Sequence, residues 1–166
     1  MAKITLKGNP VNTSGDLPKV GATAPAFAFV KTDLSAVAQK DFAGQQVILN
    51  IFPSIDTPTC ATSVRTFNQR AAGLKDTVVL CVSKDLPFAQ KRFCGAEGID
   101  KVHAVSGFRD ANFGKSYGVD IVDGPLAGLY ARAVVVVGKD GKVLHTELVP
   151  EIANEPDYAR ALAAVS

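Results

Sequence analysis

The chain has 166 residues, 47% of them hydrophobic and 20% charged, which is enough for one packed core and excludes a disordered or low-complexity chain. Eighteen basic and sixteen acidic residues leave a net charge of +2 spread along the sequence, which excludes the concentrated Lys/Arg face of a nucleic-acid or anionic-membrane binder and suits a small neutral substrate. Three cysteines without a CxxC pair do not make a secreted disulfide framework, MAKITLKGNP lacks an apolar leader, and no apolar run approaches the ~18 residues of a membrane span, so the expectation is a cytoplasmic protein with free thiols.

In chain order, the first element is a hairpin over about residues 1–16, with ITLKGNPV turning at Gly8, Asn9 and Pro10. It reads as an appendage to a single domain spanning 1–166. AFAFV (26–30), VILNIF (47–52), TVVLCVS (77–83), VHAVS (102–106) and AVVVV (133–137) are short, β-branched runs bounded by Gly, Pro or Asp. Their near-continuous apolar character predicts strands buried on both faces. Between them, helices are predicted over 60–72, 87–94, 110–117 and 155–164; in the first, Val64, Phe67, Ala71 and Leu74 recur at three- and four-residue intervals. VVVVGKDGKVLHTELV carries a Lys-Asp-Gly-Lys turn between two apolar runs and predicts a closing hairpin. Strands alternating with helices give an α/β sandwich around a partly parallel sheet.

The chemistry concentrates in PSIDTPTC, residues 53–60, between a predicted strand and a predicted helix. Ligands of open α/β sheets bind beyond the carboxyl ends of strands, where a loop enters a helix. Unpaired N–H groups and the positive end of the macrodipole there favour a thiolate over a thiol. Thr57 lies three residues before Cys60, placed for its hydroxyl to bond both the sulfur and an incoming oxygen. Pro53 and Pro58 lack N–H groups, stiffen the loop and limit water near the sulfur. Such a group suits attack on the O–O bond of a peroxide. An inert, buried cysteine behind an ordinary Pro/Thr turn remains the other reading of the same residues.

Cys94, in PFAQKRFCGAEG, sits beside Gly95 and Gly98 at a helix end that opens readily. A thiol so placed can condense with a sulfenic acid on Cys60, or can simply be a packed helix residue. Cys81, within TVVLCVS, reads as structural and inert. His103 and His145 stand singly in strand-like segments with no zinc-type spacing, so neither a metal site nor a cysteine–histidine dyad is expected.

Pro53-x-x-x-Thr57-x-x-Cys60 resembles the active-site motif of the peroxiredoxin family. NIFPSIDTPTCATSVRTFNQ, VVLCVSKDLPFAQKRFCGAEG, DGPLAGLYARAVVVV and EPDYARAL resemble its thiol peroxidase branch, so the likeness covers nearly the whole chain. One departure is Thr59, where related sequences often carry an apolar residue. The resemblance implies a thioredoxin-like sandwich with an N-terminal β-hairpin, a homodimer, reduction of hydroperoxides with electrons from thioredoxin, and no metal or organic cofactor. It further implies that Cys60 is the attacking cysteine, Thr57 its hydroxyl partner, Pro53 the shielding proline and Arg132 the supporting guanidinium. Cys94 would resolve the sulfenic acid through an intramolecular Cys60–Cys94 disulfide. A disulfide oxidoreductase and a noncatalytic thioredoxin-like binding module are the competing readings; the first is disfavoured by the missing CxxC.

Overall fold

A computed structural model of the chain describes residues 1–165. Strands β1 (Lys3–Leu6) and β2 (Asn9–Asn12) form the N-terminal hairpin. Lys7 and Gly8, at φ 50° and 83°, make its two-residue turn, the combination that matches the twist of paired strands. The turn therefore lies one residue earlier than Gly8-Asn9-Pro10, and Asn9 and Pro10 belong to β2. Pro10 is tolerated opposite Thr5 because the Thr5 amide points out of the hairpin, to the Pro150 carbonyl at 2.8 Å.

Seven strands build the central sheet: β3 (Ala28–Lys31), β4 (Ala36–Ala38), β5 (Gln46–Ile51), β6 (Thr77–Ser83), β7 (His103–Ser106), β8 (Ala133–Val137) and β9 (Val143–Leu148). Their order is β4-β3-β7-β6-β5-β8-β9, with β5–β6 and β6–β7 parallel and the remaining pairs antiparallel. The expected mixed sheet and closing hairpin are thus present. β4 and the 3-10 turn over Gln39–Phe42 went unforeseen, since three residues of Ala-Val-Ala carry no strand pattern.

The helices are α1 (Pro58–Ala71), α2 (Pro87–Glu97), α3 (Phe113–Ser116) and α4 (Tyr158–Ala163). α1 starts two residues earlier than predicted, with Pro58 in its first turn, where a missing N–H costs nothing. α3 keeps one turn of the predicted 110–117. The Asp110 carboxylate takes the amides of Asn112 and Phe113 before the helix begins, and Gly118, at φ 68° against the Asp16 backbone, turns the chain just after it. Among the described residues no helix is long and apolar enough to cross a membrane.

Both sheet faces are covered. On one, Phe29, Leu49, Val82, Phe113, Tyr117 and Tyr130 pack together; on the other, Ile48, Val79, Val134 and Val136 meet Val64 and Phe67 of α1, Phe93 of α2 and Ala161 of α4. Alternate valines of β8 serve opposite faces, which explains its unbroken apolar run. Because β8 runs antiparallel to β5, with Ala133 opposite Ile51, the residue preceding β8 arrives where β5 ends. That residue is Arg132.

Candidate active site

The chain leaves β5 through Phe52 and Pro53, both buried, and turns through Ser54–Asp56 into α1. Asp85, two residues beyond β6, holds this turn: its carboxylate accepts from Ser54 Oγ at 2.8 Å, Ile55 N at 2.7 Å and Ser83 Oγ at 2.6 Å. Thr57 is the N-cap residue, which sets Cys60 in the first turn of α1 among its unpaired N–H groups. The Thr57 hydroxyl donates to the Ser54 carbonyl at 2.9 Å rather than to the sulfur. Behind Cys60, Ser63 Oγ donates to the Cys60 carbonyl at 2.8 Å and accepts from Asn50 Nδ2 at 3.2 Å.

Cys60 is wholly buried and unpaired, and Arg132 is only 2% exposed. Arg132 Nη2 lies 3.2 Å from Cys60 Sγ, and Nε donates to the Ile152 carbonyl at 2.7 Å. Its Nη1, also buried, has no partner among the described residues. A buried donor left open in this way is costly unless something else uses it. One guanidinium edge is therefore committed to the sulfur while a further N–H awaits an acceptor beside it.

Cys94 lies on α2, half-buried against the same apolar cluster that encloses Cys60, and burial pushes its thiol pKa up. Its carbonyl accepts the Gly98 and Ile99 amides where Gly98, at φ 65°, ends the helix. Two exposed ion pairs tie α2 to the Cys60 segment, Arg92–Asp56 at 2.6 Å and Arg65–Glu97 at 2.8 Å. Cys81 is different: burial drives its thiol up to about 12, and its sulfur accepts from Asn50 Nδ2 at 3.6 Å. In the folded protein Cys81 should therefore resist iodoacetamide at neutral pH while Cys94 reacts, as peptide-resolved alkylation will show.

The structure thus gathers Pro53, Thr57, Cys60 and Arg132 at one end of the sheet and leaves Cys94 on an adjoining helix with a free thiol. Asp85, Ile152 and the Asn50–Ser63 pair had not been singled out. Asp85 alone had a sequence signal, an acid following Ser-Lys at the end of a strand; the Ile152 contribution is a backbone carbonyl, which no side-chain pattern announces.

Comparison with known proteins places this geometry. The Redoxin family profile matches residues 19–162. Thiol peroxidase from Mycobacterium tuberculosis is 64% identical over 165 residues, 99% of each chain, and that from Corynebacterium glutamicum is 55% identical over the full length of both. The chain belongs to the peroxiredoxins of the redoxin family. A peroxiredoxin-like protein from Aquifex aeolicus superposes with a TM-score of 0.93 at 41% identity, covering 99% of this chain and 96% of that one. Thiol peroxidase from Chromobacterium violaceum, at 19% identity and TM-score 0.86 over 97% of this chain and 93% of that one, shares the fold. The thioredoxin-like sandwich expected from the motif is therefore the architecture of this peroxiredoxin, with its hairpin preceding the matched Redoxin segment.

Proposed function

We propose that this peroxiredoxin is a thiol-dependent peroxidase that reduces hydrogen peroxide and organic hydroperoxides, with Cys60 as nucleophile, Cys94 as resolving thiol and thioredoxin as reductant. The observation that carries the reading is the buried guanidinium of Arg132, which holds the Cys60 sulfur at 3.2 Å through Nη2 and keeps Nη1 unpartnered beside it. Donors fixed before the reaction, in a site without water, stabilise charge as it develops. Nη1 supplies such a donor for a hydroperoxide oxygen.

In the first step the Cys60 thiolate attacks the terminal peroxide oxygen, the O–O bond breaks, and the departing oxyanion takes a proton to leave as water or alcohol. Cys60 is left as a sulfenic acid. Thr57, whose O–H is given to Ser54, turns its oxygen lone pairs to the hydroperoxide O–H, so it acts as acceptor rather than as donor to the sulfur. Pro53, buried and without an N–H, offers the reacting oxygens nothing that competes with Arg132.

In the second step Cys94 sulfur attacks Cys60 sulfur, water leaves, and the disulfide forms. Such a bond needs Cα atoms within about 7 Å, which brings the first turn of α1 against the end of α2. The exposed Arg92–Asp56 and Arg65–Glu97 pairs bridge these two segments and, being solvated, resist their movement only weakly. A thioredoxin dithiol then reopens the bond by exchange. The three unpaired thiols suit work in the reducing cytoplasm. Exposed Leu86 and Phe88 at the start of α2 and exposed Phe108 just after β7, two segments joined by the Ser106 hydroxyl donating to the Asp85 carbonyl, support a homodimer.

The test is intact mass and free-thiol count before and after one equivalent of cumene hydroperoxide, with peptide mapping. The expected result is loss of two of the three thiols and of two hydrogens, mapped to Cys60 and Cys94. Cys94→Ser should still lose the Cys60 thiol to peroxide but fail to turn over with thioredoxin. Three thiols intact after peroxide would overturn the reading.

A further inference from the structure

The segment after β9 connects the N-terminal hairpin with the Cys60 site. Thr5 and this segment form a parallel bridge, with Thr5 N donating to the Pro150 carbonyl at 2.8 Å and Ile152 N donating to the Thr5 carbonyl at 2.9 Å. Between those two bonds lies Glu151. Its Oε1 accepts from Gly8 N and Thr5 Oγ1, both at 2.9 Å, and its Oε2 accepts from Lys7 N at 3.1 Å and Ala153 N at 2.9 Å. Four donors on one carboxylate satisfy nearly all its acceptor capacity. They hold its pKa down at about 2, the Ala153 and Gly8 amides foremost, so the carboxylate stays charged over the working pH range.

The two residues after Glu151 touch the surroundings of the reacting group. The Ile152 carbonyl receives Arg132 Nε at 2.7 Å, the bond that fixes the guanidinium opposite Cys60 Sγ. The Ala153 carbonyl receives the hydroxyl of Thr59, the residue immediately before Cys60, at 3.0 Å. The Ile152 side chain is seated with Ile4 and Val11 of the hairpin and with Ala131, next to Arg132. Glu151 thus joins the hairpin turn to a four-residue segment whose carbonyls hold both halves of the site.

We propose that Glu151 is a positioning residue for the peroxidase reaction: by clasping the Lys7–Gly8 turn it sets residues 150–153 where the Ile152 carbonyl aligns Arg132 on Cys60. The inference rests on the proposed role of Arg132. It gives the hairpin a function, as the brace of an arginine more than a hundred residues away in sequence. A side-chain amide cannot replace the carboxylate, because in either orientation its NH2 would face a backbone N–H, that of Gly8 on one side or those of Lys7 and Ala153 on the other.

The experiment compares full-length wild type, Glu151→Gln, Arg132→Lys and the double variant, by quench-flow oxidation of Cys60 with cumene hydroperoxide and peptide mass analysis. Glu151→Gln is expected to slow Cys60 oxidation by about 10- to 100-fold, the scale of a catalytic group displaced by about 1 Å, and to move the pH profile of that rate upward. In the double variant the rate is expected to match Arg132→Lys alone, since both changes act through one guanidinium. Glu151→Asp keeps the charge but draws it back by a methylene; it should fall between wild type and Glu151→Gln, and it is the variant read should the glutamine form not fold. A slow Arg132→Lys beside an Asp or Gln variant within twofold of wild type, profile unmoved, overturns the inference alone. An Arg132→Lys at the wild-type rate overturns the Arg132 reading and the inference with it.

Discussion

Cys60→Ser is expected to bring peroxide consumption to the uncatalysed level, a loss on the order of 10⁴-fold or more, as when the nucleophile of a preorganised site is removed. The substitution preserves shape and leaves Arg132 in place, now with a hydroxyl oxygen as acceptor for Nη2. What is lost is a polarisable thiolate; a serine hydroxyl with no base beside it is a weak nucleophile. Neither remaining cysteine can take over. Cys81 is sealed in the sheet with its thiol driven to about 12, and burial also raises Cys94, which lies on a different helix from the Arg132 contact. Measured as hydroperoxide loss with thioredoxin in excess, a residual rate within tenfold of wild type would assign the nucleophile to another thiol.

Arg132→Lys is expected to slow the first oxidation by about 10²–10³-fold, the range for loss of a preorganised donor at a developing oxyanion. The charge is conserved, so the effect isolates geometry. Arg132 directs its planar fork three ways: Nε to Ile152, Nη2 to Cys60, and a buried Nη1 that has no partner among the described residues. A single ammonium group cannot hold the carbonyl, the sulfur and the substrate oxygen at once in those directions. Arg132→Met goes further and strips the Ile152 carbonyl of its partner, a cost of about 1–3 kcal/mol for a buried acceptor left bare. Quench-flow oxidation monitors the first effect and thermal unfolding the second; a lysine variant within threefold of wild type would remove Arg132 from the reaction.

Much of the scaffold was legible from residue pattern because its strands are unambiguous. TVVLCVS and AVVVV coincide with β6 and β8 residue for residue, since both are apolar on each side and closed by turn chemistry. The short α3 is less than its pattern suggests: residues 110–117 have helical spacing, but an aspartate that captures amides at one end and a glycine against the Asp16 backbone at the other leave a single turn. The hairpin turn is displaced by one residue because Lys7 adopts positive φ where Gly8 and Asn9 were the obvious candidates. In the site, PSIDTPTC pointed to its own thiol through helix-start physics. Arg132 entered through family resemblance, because only strand pairing, Ala133 against Ile51, brings it near Cys60. Thr57 sits at the N-cap of the Cys60 helix, but its hydroxyl bond goes to a backbone carbonyl rather than to the sulfur, which residue identity cannot foretell.

The antiparallel neighbour of β5 has a consequence for synthesis. β8 is the partner on one side of β5, and it is supplied by residues 133–137, late in the chain. Until they leave the ribosome, QVILNI presents an apolar open edge with unpaired amides and carbonyls, a template for pairing with another nascent copy. Over the same interval Cys60 lacks the arginine that sits 72 residues further on. A growing chain of this peroxiredoxin is therefore sticky before it is reactive. Its risk of mispairing is greatest while the Cys60 site is still incomplete.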